Sequence, residues 1–235
     1  MSNAVLLNNI DHKGLKIITT RGAAYGDDVK SALTFPAEFR NVQAHYPIVF
    51  HKAADGKFQP IALLGFQDKE NLFLGPHGWD APYVPLTVER QPFLIGFRDR
   101  EPLVHIDLAS PRVSRTEGEA LFREYGGSSD FLERMSSVLL TIHQGLEAMP
   151  AFIDALLQHD LLESFVLDVE LNDRSQHRLT GFYTINEERL GTLDAGGLER
   201  MHKTGYLQAI YMALASLSHF RDLIERRNRL NAARR

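Results

Sequence analysis

His105 and Asp107 flank Ile106 in the run LVHIDL. On a β-strand residues i and i+2 share a face, so this imidazole and carboxylate would point the same way. With a second histidine they would form a two-His-one-carboxylate site for a non-haem iron, the donor set of an oxygenase or hydrolase-type enzyme. No third ligand stands nearby in sequence, since His143, His159 and His177 lie well downstream. The plainer reading is a strand end whose Asp107 accepts backbone or arginine hydrogen bonds and whose His105 is partly exposed. Nucleophilic catalysis has less support: there is no G-x-S-x-G, and serines ahead of helical runs serve as N-caps. Glu187-Glu188 and Asp27-Asp28 sit in turn-like segments and read as solvated. Gly126-Gly127 and Gly196-Gly197 punctuate helices without forming a phosphate-binding G-x-G-x-x-G. The 235 residues include no cysteine, which excludes disulfides, thiolate nucleophiles and thiolate-bound metals. No cofactor is expected.

Any binding surface has to be positioned by the stretch Asn71–Phe93, NLFLGPHGWDAPYVPLTVERQPF. It gathers the only Trp, four of the ten Pro and three further aromatics. Pro76, Pro82, Pro85 and Pro92 restrict φ to about −65° and remove backbone donors, so the segment should be rigid and irregular. Tyr83-Val84 and Leu86–Glu89 are its candidate short edge strands. Aromatics in such a segment commonly pack as a core plug. Alternatively Trp79, Tyr83, Arg90 and Phe93, with Tyr46, form a recognition surface for a protein partner or small molecule, because aromatic and Arg side chains are favoured where proteins bind.

Composition sets the remaining bounds. A hydrophobic fraction of 44% with 24% charged residues is an ordinary globular balance, enough for a core without staples. A net charge of −4 argues against nucleic-acid binding. No run approaches the roughly 20 apolar residues of a membrane span. MSNAVLLNNIDHKG has no basic region followed by an apolar run. A cytoplasmic location is therefore expected. The Arg-rich end RDLIERRNRLNAARR reads as a solvated terminus whose cations favour the negative helix pole, or as a docking tail for an acidic partner. Removing residues 226–235 is expected to cost little stability in either case.

In chain order, Leu15–Thr20 and Tyr46–Phe50 read as strands, and the Asp55-Gly56 turn should pair Ile48–His51 with Phe58–Leu64. Phe35–Phe39 reads as a turn or short helix with Glu38 and Arg40 solvated. Phe93–Phe97 and Leu103–Leu108 form a hairpin around the charged turn at 98–101. Beyond Ser110-Pro111, Thr116 and Glu119 match a capping box for a short helix ended by Gly126-Gly127. Ser128–Asp130 cap a second helix with Phe131, Leu132, Met135, Val138, Leu139, Ile142 and Leu146 on one face. Pro150 suits the first turn of a third, running to about His159. Ser164–Leu171 and His177–Ile185 form another hairpin. Leu198–Met201 and a long helix from Thr204 end the chain, the latter a candidate homodimer face. The expected class is α+β: an antiparallel, β-rich N-terminal half packed with C-terminal helices and one further β-hairpin, as a single domain over 1–235.

Several blocks resemble a known family. FPAEF at 35–39, YPIVF at 46–50, NLFLG at 71–75, the spaced Trp79, Tyr83 and Pro85, and Arg90, Pro92 and Phe93 are similar to the SapC-like family. So are IDLASPRV with G-x-x-LF over 106–122, GFYTINEERL at 181–190 and the closing run at 205–217. The resemblance covers nearly the whole chain in order. It implies a family named for surface-layer proteins, whose members are labelled as transport components. They occur beside outer-membrane receptors, flavin-dependent halogenase-like proteins and cupin-like oxygenases. The peptide-uptake permease of the same name spans a membrane and is a different protein. The family keeps an acid matching Asp107 but is not associated with a histidine matching His105, which weighs against iron. The resemblance thus implies a non-catalytic binding or accessory protein, the other readings being a metal-dependent enzyme and an exported surface-layer component.

Overall fold

The computed structural model of the protein describes residues 3–99 and 101–233. Its strands are β1 (Ala4–Leu6), β2 (Lys16–Ile17), β3 (Ser31–Leu33), β4 (Ile48–Lys52), β5 (Phe58–Leu63), β6 (Leu74–Gly75), β7 (Gly78–Trp79), β8 (Phe93–Arg98), β9 (Glu101–Asp107), β10 (Val113–Ser114), β11 (Glu119–Ala120), β12 (Leu162–Glu170) and β13 (Gln176–Ile185). Its helices are α1 (Phe39–Val42), α2 (Leu86–Glu89), α3 (Asp130–Gln158), α4 (Glu187–Gly191), α5 (Ala195–Lys203), α6 (Tyr206–Ser216) and α7 (Phe220–Ala233). The class is α+β, with antiparallel strands dominating the first half and helices the second. The largest sheet runs β12-β13-β4-β5-β3; smaller ones run β1-β9-β8, β10-β2-β11 and β6-β7.

The β4–β5 hairpin follows from its turn. Gly56 takes a left-handed φ of 80°, and Asp55 Oδ1 accepts from the Lys57 N–H at 3.0 Å, which sets Val49 opposite Ile61. Ile48, Val49 and Phe50 are buried in succession because helices cover this part of the sheet. Phe50 lies 6.4 Å from Phe152 of α3, and the Ile48 N–H donates to Ser216 Oγ of α6 at 2.8 Å. A second cluster joins Leu15, Ile17, Phe93, Ile106 and Leu121 to Leu132, Met135 and Leu139 of α3. Helix α3 therefore takes part in both cores.

Several expectations are corrected. The helix expected to start at Pro150 is the last third of one 29-residue helix, α3, capped by Ser129. Proline inside a helix costs about 3 kcal/mol, but the buried stripe Leu139, Ile142, Met149, Phe152 and Leu156 continues across it while Pro150 faces solvent. Burial of the stripe outweighs the local cost. The capping box at Thr116 and Glu119 does not form. Ser114 Oγ takes the N–H groups of Thr116 and Glu117, each at 3.2 Å, and the segment makes β10 and β11 on either side of β2. Gly126 and Gly127 form a turn, at φ 98° and 82°, instead of ending a helix. Leu86–Glu89 is helical, and Tyr83-Val84 is not a strand. Glu187-Glu188 open α4 behind Asn186. The long C-terminal helix is broken at residues 217–219 into α6 and α7. In the charged turn at 98–101, Arg100 lies outside the described residues, as do Arg234 and Arg235 of the tail.

The Arg-rich end is clamped against the aromatic stretch. Arg227 pairs with Glu70, their side chains 13% and 10% exposed, and Arg226 reaches Asp80 Oδ2 at 2.6 Å with its guanidinium 4.3 Å from the Phe73 ring centre. Deleting residues 226–235 is expected to cost about 2–3 kcal/mol, because it removes the Arg227–Glu70 and Arg226–Asp80 bonds and the packing of Leu230 against the main core. A urea midpoint unchanged by the deletion would contradict this.

Gly145 lies under the fully buried Phe35, and a Cβ there would run into its ring. Gly145→Ala is expected to destabilise by about 1–3 kcal/mol through overpacking, despite alanine's better helix propensity. The test is a lowered denaturation midpoint at unchanged slope.

Candidate functional site

The Trp79–Phe93 stretch is tied down by Glu38, a carboxylate expected in solvent but only 2% exposed. The Phe35–Glu38 turn, closed by Glu38 N–H to Phe35 O at 2.8 Å, leads into α1. Glu38 Oε1 accepts from the Tyr83 hydroxyl at 2.9 Å and the Leu86 N–H at 2.7 Å, and Oε2 accepts from Thr34 Oγ1 at 2.8 Å. Capture of the Leu86 N–H at the start of α2 explains why this segment coils instead of pairing as a strand. Burial raises the Glu38 pKa, and the hydrogen bonds offset only part of that. Burial and then the Glu38 charge push the Tyr83 hydroxyl up.

A second chain of bonds meets the first. The Trp79 indole N–H donates to the Tyr46 hydroxyl at 2.8 Å, which donates to the Tyr83 carbonyl. Tyr46 is fully buried, its hydroxyl pKa raised by that burial, and its ring meets Phe73 edge-on at 4.7 Å. The structure thus brings Trp79, Tyr46 and Tyr83 together as a packed, hydrogen-bonded plug. Tyr46 and Phe93, both expected on a binding surface, are 0% exposed, so neither presents its ring to solvent.

Asp27 was also expected in a solvated turn and is 0% exposed. The Gly22–Gly26 turn wraps it: Oδ2 accepts from the Gly22 N–H at 2.8 Å and from Arg112 at 2.5 Å, while Oδ1 faces Arg21 at 3.3 Å. Arg112 is 1% exposed and also donates to the carbonyls of Ile18 at 2.9 Å and Thr20 at 3.0 Å. Its guanidinium lies 5.4 Å from the Tyr25 ring centre. Arg112 belongs to the quoted IDLASPRV block, yet nothing in its spacing marks it as buried.

Beside this network a cleft of 640 Å³ is lined by Tyr25, Arg90, Gln91, Pro92, Asp107 and Pro111, among others. Arg90 is half-buried, and its Nη1 donates to the Phe93 carbonyl at 2.6 Å. Burial lowers its pKa with no carboxylate working in the other direction, and Arg90 forms no salt bridge among the described residues. A smaller cleft of 280 Å³ lies at the other end of the stretch, between Phe73, Asp80, Pro82, His45, His219 and Arg226.

Asp107 Oδ1 accepts from the Asn3 N–H at 2.8 Å and the Ala109 N–H at 3.1 Å, and His105 is partly exposed over Gly96. His143 rests on Phe97, and His177 stacks on Phe66. Among the described residues no group of three or more His, Asp or Glu could hold a metal ion, so the His105–Asp107 pair meets no third ligand.

No helix among the described residues is long and apolar enough to cross a membrane. No curated protein and no solved structure matches the chain. The family model described as SapC matches residues 7–223, a span that contains Glu38, the Asp27–Arg112 pair and the Arg90 cleft. On that coverage the chain belongs to the SapC family.

Proposed function

We propose that this chain is a non-catalytic binding or accessory protein of the cytoplasm, acting as one domain, whose recognition surface is the cleft at Arg90. The observation that carries this is the state of Arg90: a half-buried guanidinium without a carboxylate partner, facing an open cleft of 640 Å³. Burying part of a cation costs free energy that a purely structural site would offset with an acid. The Trp79–Tyr46–Tyr83 plug and the Glu38 bonds fix the segment that presents it, and preorganisation lowers the cost of binding. The chemistry fits a carboxylate, carried by a small molecule or by an acidic side chain of a protein partner. A cysteine-free chain suits a reducing compartment.

Arg90→Gln removes the charge, and Ala109→Trp, at an exposed position in the cleft wall, blocks the space. Both variants should melt close to wild type, while the species that co-purifies with the wild-type chain from its own cells falls by about tenfold or more. Equal recovery with both variants would remove the proposal. Fractionation checks the location: recovery outside the inner membrane would favour the exported surface-layer reading.

A further inference from the structure

We propose that a third cavity, between β2, α2 and the first turns of α3, binds a small oxyanion, either inorganic phosphate or the carboxylate of a small organic acid. The cavity measures 130 Å³, and its polar lining is Thr19, Arg21, Glu89, Gln91, Arg112 and Arg134. That is about tenfold the space one water needs.

Three observations converge on an anion. The first is charge balance. Three guanidiniums line the space, and two carboxylates answer them: Asp27 shared between Arg21 and Arg112, and Glu89 paired with Arg134 at 2.6 Å. One positive charge is left over, in a region where Arg112 and Asp27 are essentially without solvent. The second is an unmatched donor. Arg112 commits Nη1 to two carbonyls and Nη2 to Asp27, yet its buried Nε–H meets no acceptor among the described residues. Buried donors are rarely left this way, and leaving one unmatched is costly. The third is the repulsion left between Arg21 and Arg112: burial first, and then Arg112, lower the Arg21 pKa, and the pull of Asp27 offsets only part of this. An anion between them would relieve it.

Guanidinium suits this ligand class. Its planar fork matches the oxygens of carboxylate and phosphate, and it stays charged when partly buried. Thr19 and Gln91 can supply neutral hydrogen bonds to the remaining oxygens. Gln91 also lines the Arg90 cleft, but the charge balance does not depend on what that cleft binds.

The test is calorimetric titration of the full chain with sodium phosphate and with sodium acetate, using sodium chloride at matched ionic strength as reference. Saturable binding of one anion per chain is expected for phosphate or acetate, and the arm that responds identifies the class. Glu89→Gln removes a competing carboxylate and should tighten the site about tenfold; Arg134→Gln should weaken it by a similar factor. Glu89 and Arg134 are partly or largely exposed, so both variants leave the Asp27–Arg112 contact in place. Chloride-like, non-saturable heats in both arms would overturn the proposal. So would an affinity identical in wild type, Glu89→Gln and Arg134→Gln.

Discussion

Asp27→Asn is expected to cost about 3–5 kcal/mol of folding stability, because it strands two guanidiniums around a carboxamide that carries no charge. Asparagine keeps a carbonyl for the Gly22 N–H, and Arg112 keeps the carbonyls of Ile18 and Thr20, so the substitution removes charge with little change of shape. A loss of this size is a large share of the roughly 5–15 kcal/mol that holds a typical domain folded. Urea unfolding followed by fluorescence and circular dichroism reads it directly. Adding Arg112→Met to Asp27→Asn should recover part of the loss, since the buried charge goes with the side chain. A single variant within about 0.5 kcal/mol of wild type would mean that water reaches the pair, contrary to an Arg112 that is 1% exposed.

Glu38 gives the second large effect, with a pH signature. Glu38→Ala leaves the Tyr83 hydroxyl, the Leu86 N–H and the Thr34 hydroxyl without their acceptor, and is expected to cost about 3–5 kcal/mol. Glu38→Gln keeps a carbonyl acceptor for Tyr83 and Leu86, and its amide can donate to Thr34. The folded protein holds the Glu38 proton more tightly than the unfolded chain does, since burial raises the carboxyl above its usual value of 4.5. The stability this gives is fully present below the unfolded value and is lost as pH rises through the raised folded value. Wild type should therefore lose ground to Glu38→Gln as pH rises across that window, then run parallel to it. Stability curves of the two proteins that stay parallel from pH 4 to 8 would contradict the buried carboxylate.

Those two acids also show where the sequence stops being informative. The Asp55-Gly56 hairpin and the Ser129 cap of α3 were readable because their chemistry lies within a few residues. Whether a carboxylate is buried depends on distant partners: Leu86 is 48 residues from Glu38, and Arg112 is 85 from Asp27. Both acids therefore looked like turn residues. At Pro150 a local rule loses to a buried stripe that runs from Leu132 to Leu156 through the helix. At Thr116 a capping pattern lost to the hydroxyl of Ser114 two residues away, a competition spacing alone does not rank. Within the candidate site, the spacing offers Trp79, Tyr83 and Arg90 as one surface, whereas the fold packs Trp79 and Tyr83 with Tyr46 and leaves Arg90 in a separate cleft. Burial of Tyr46 and Phe93 is not legible in the spacing, and neither is the assembly of the Arg90 cleft from Tyr25, Gln91 and the Asp107–Pro111 segment, which are brought together only by the fold.

Native mass spectrometry of the untagged chain from its own cells, set against its denatured mass, tests most directly that the Arg90 cleft is a recognition site. The expected result is an excess mass, a small acid or a second polypeptide, present on wild type and absent from Arg90→Gln and Ala109→Trp. A bare wild-type chain, or a wild-type chain whose every excess mass persists in both variants, would contradict it.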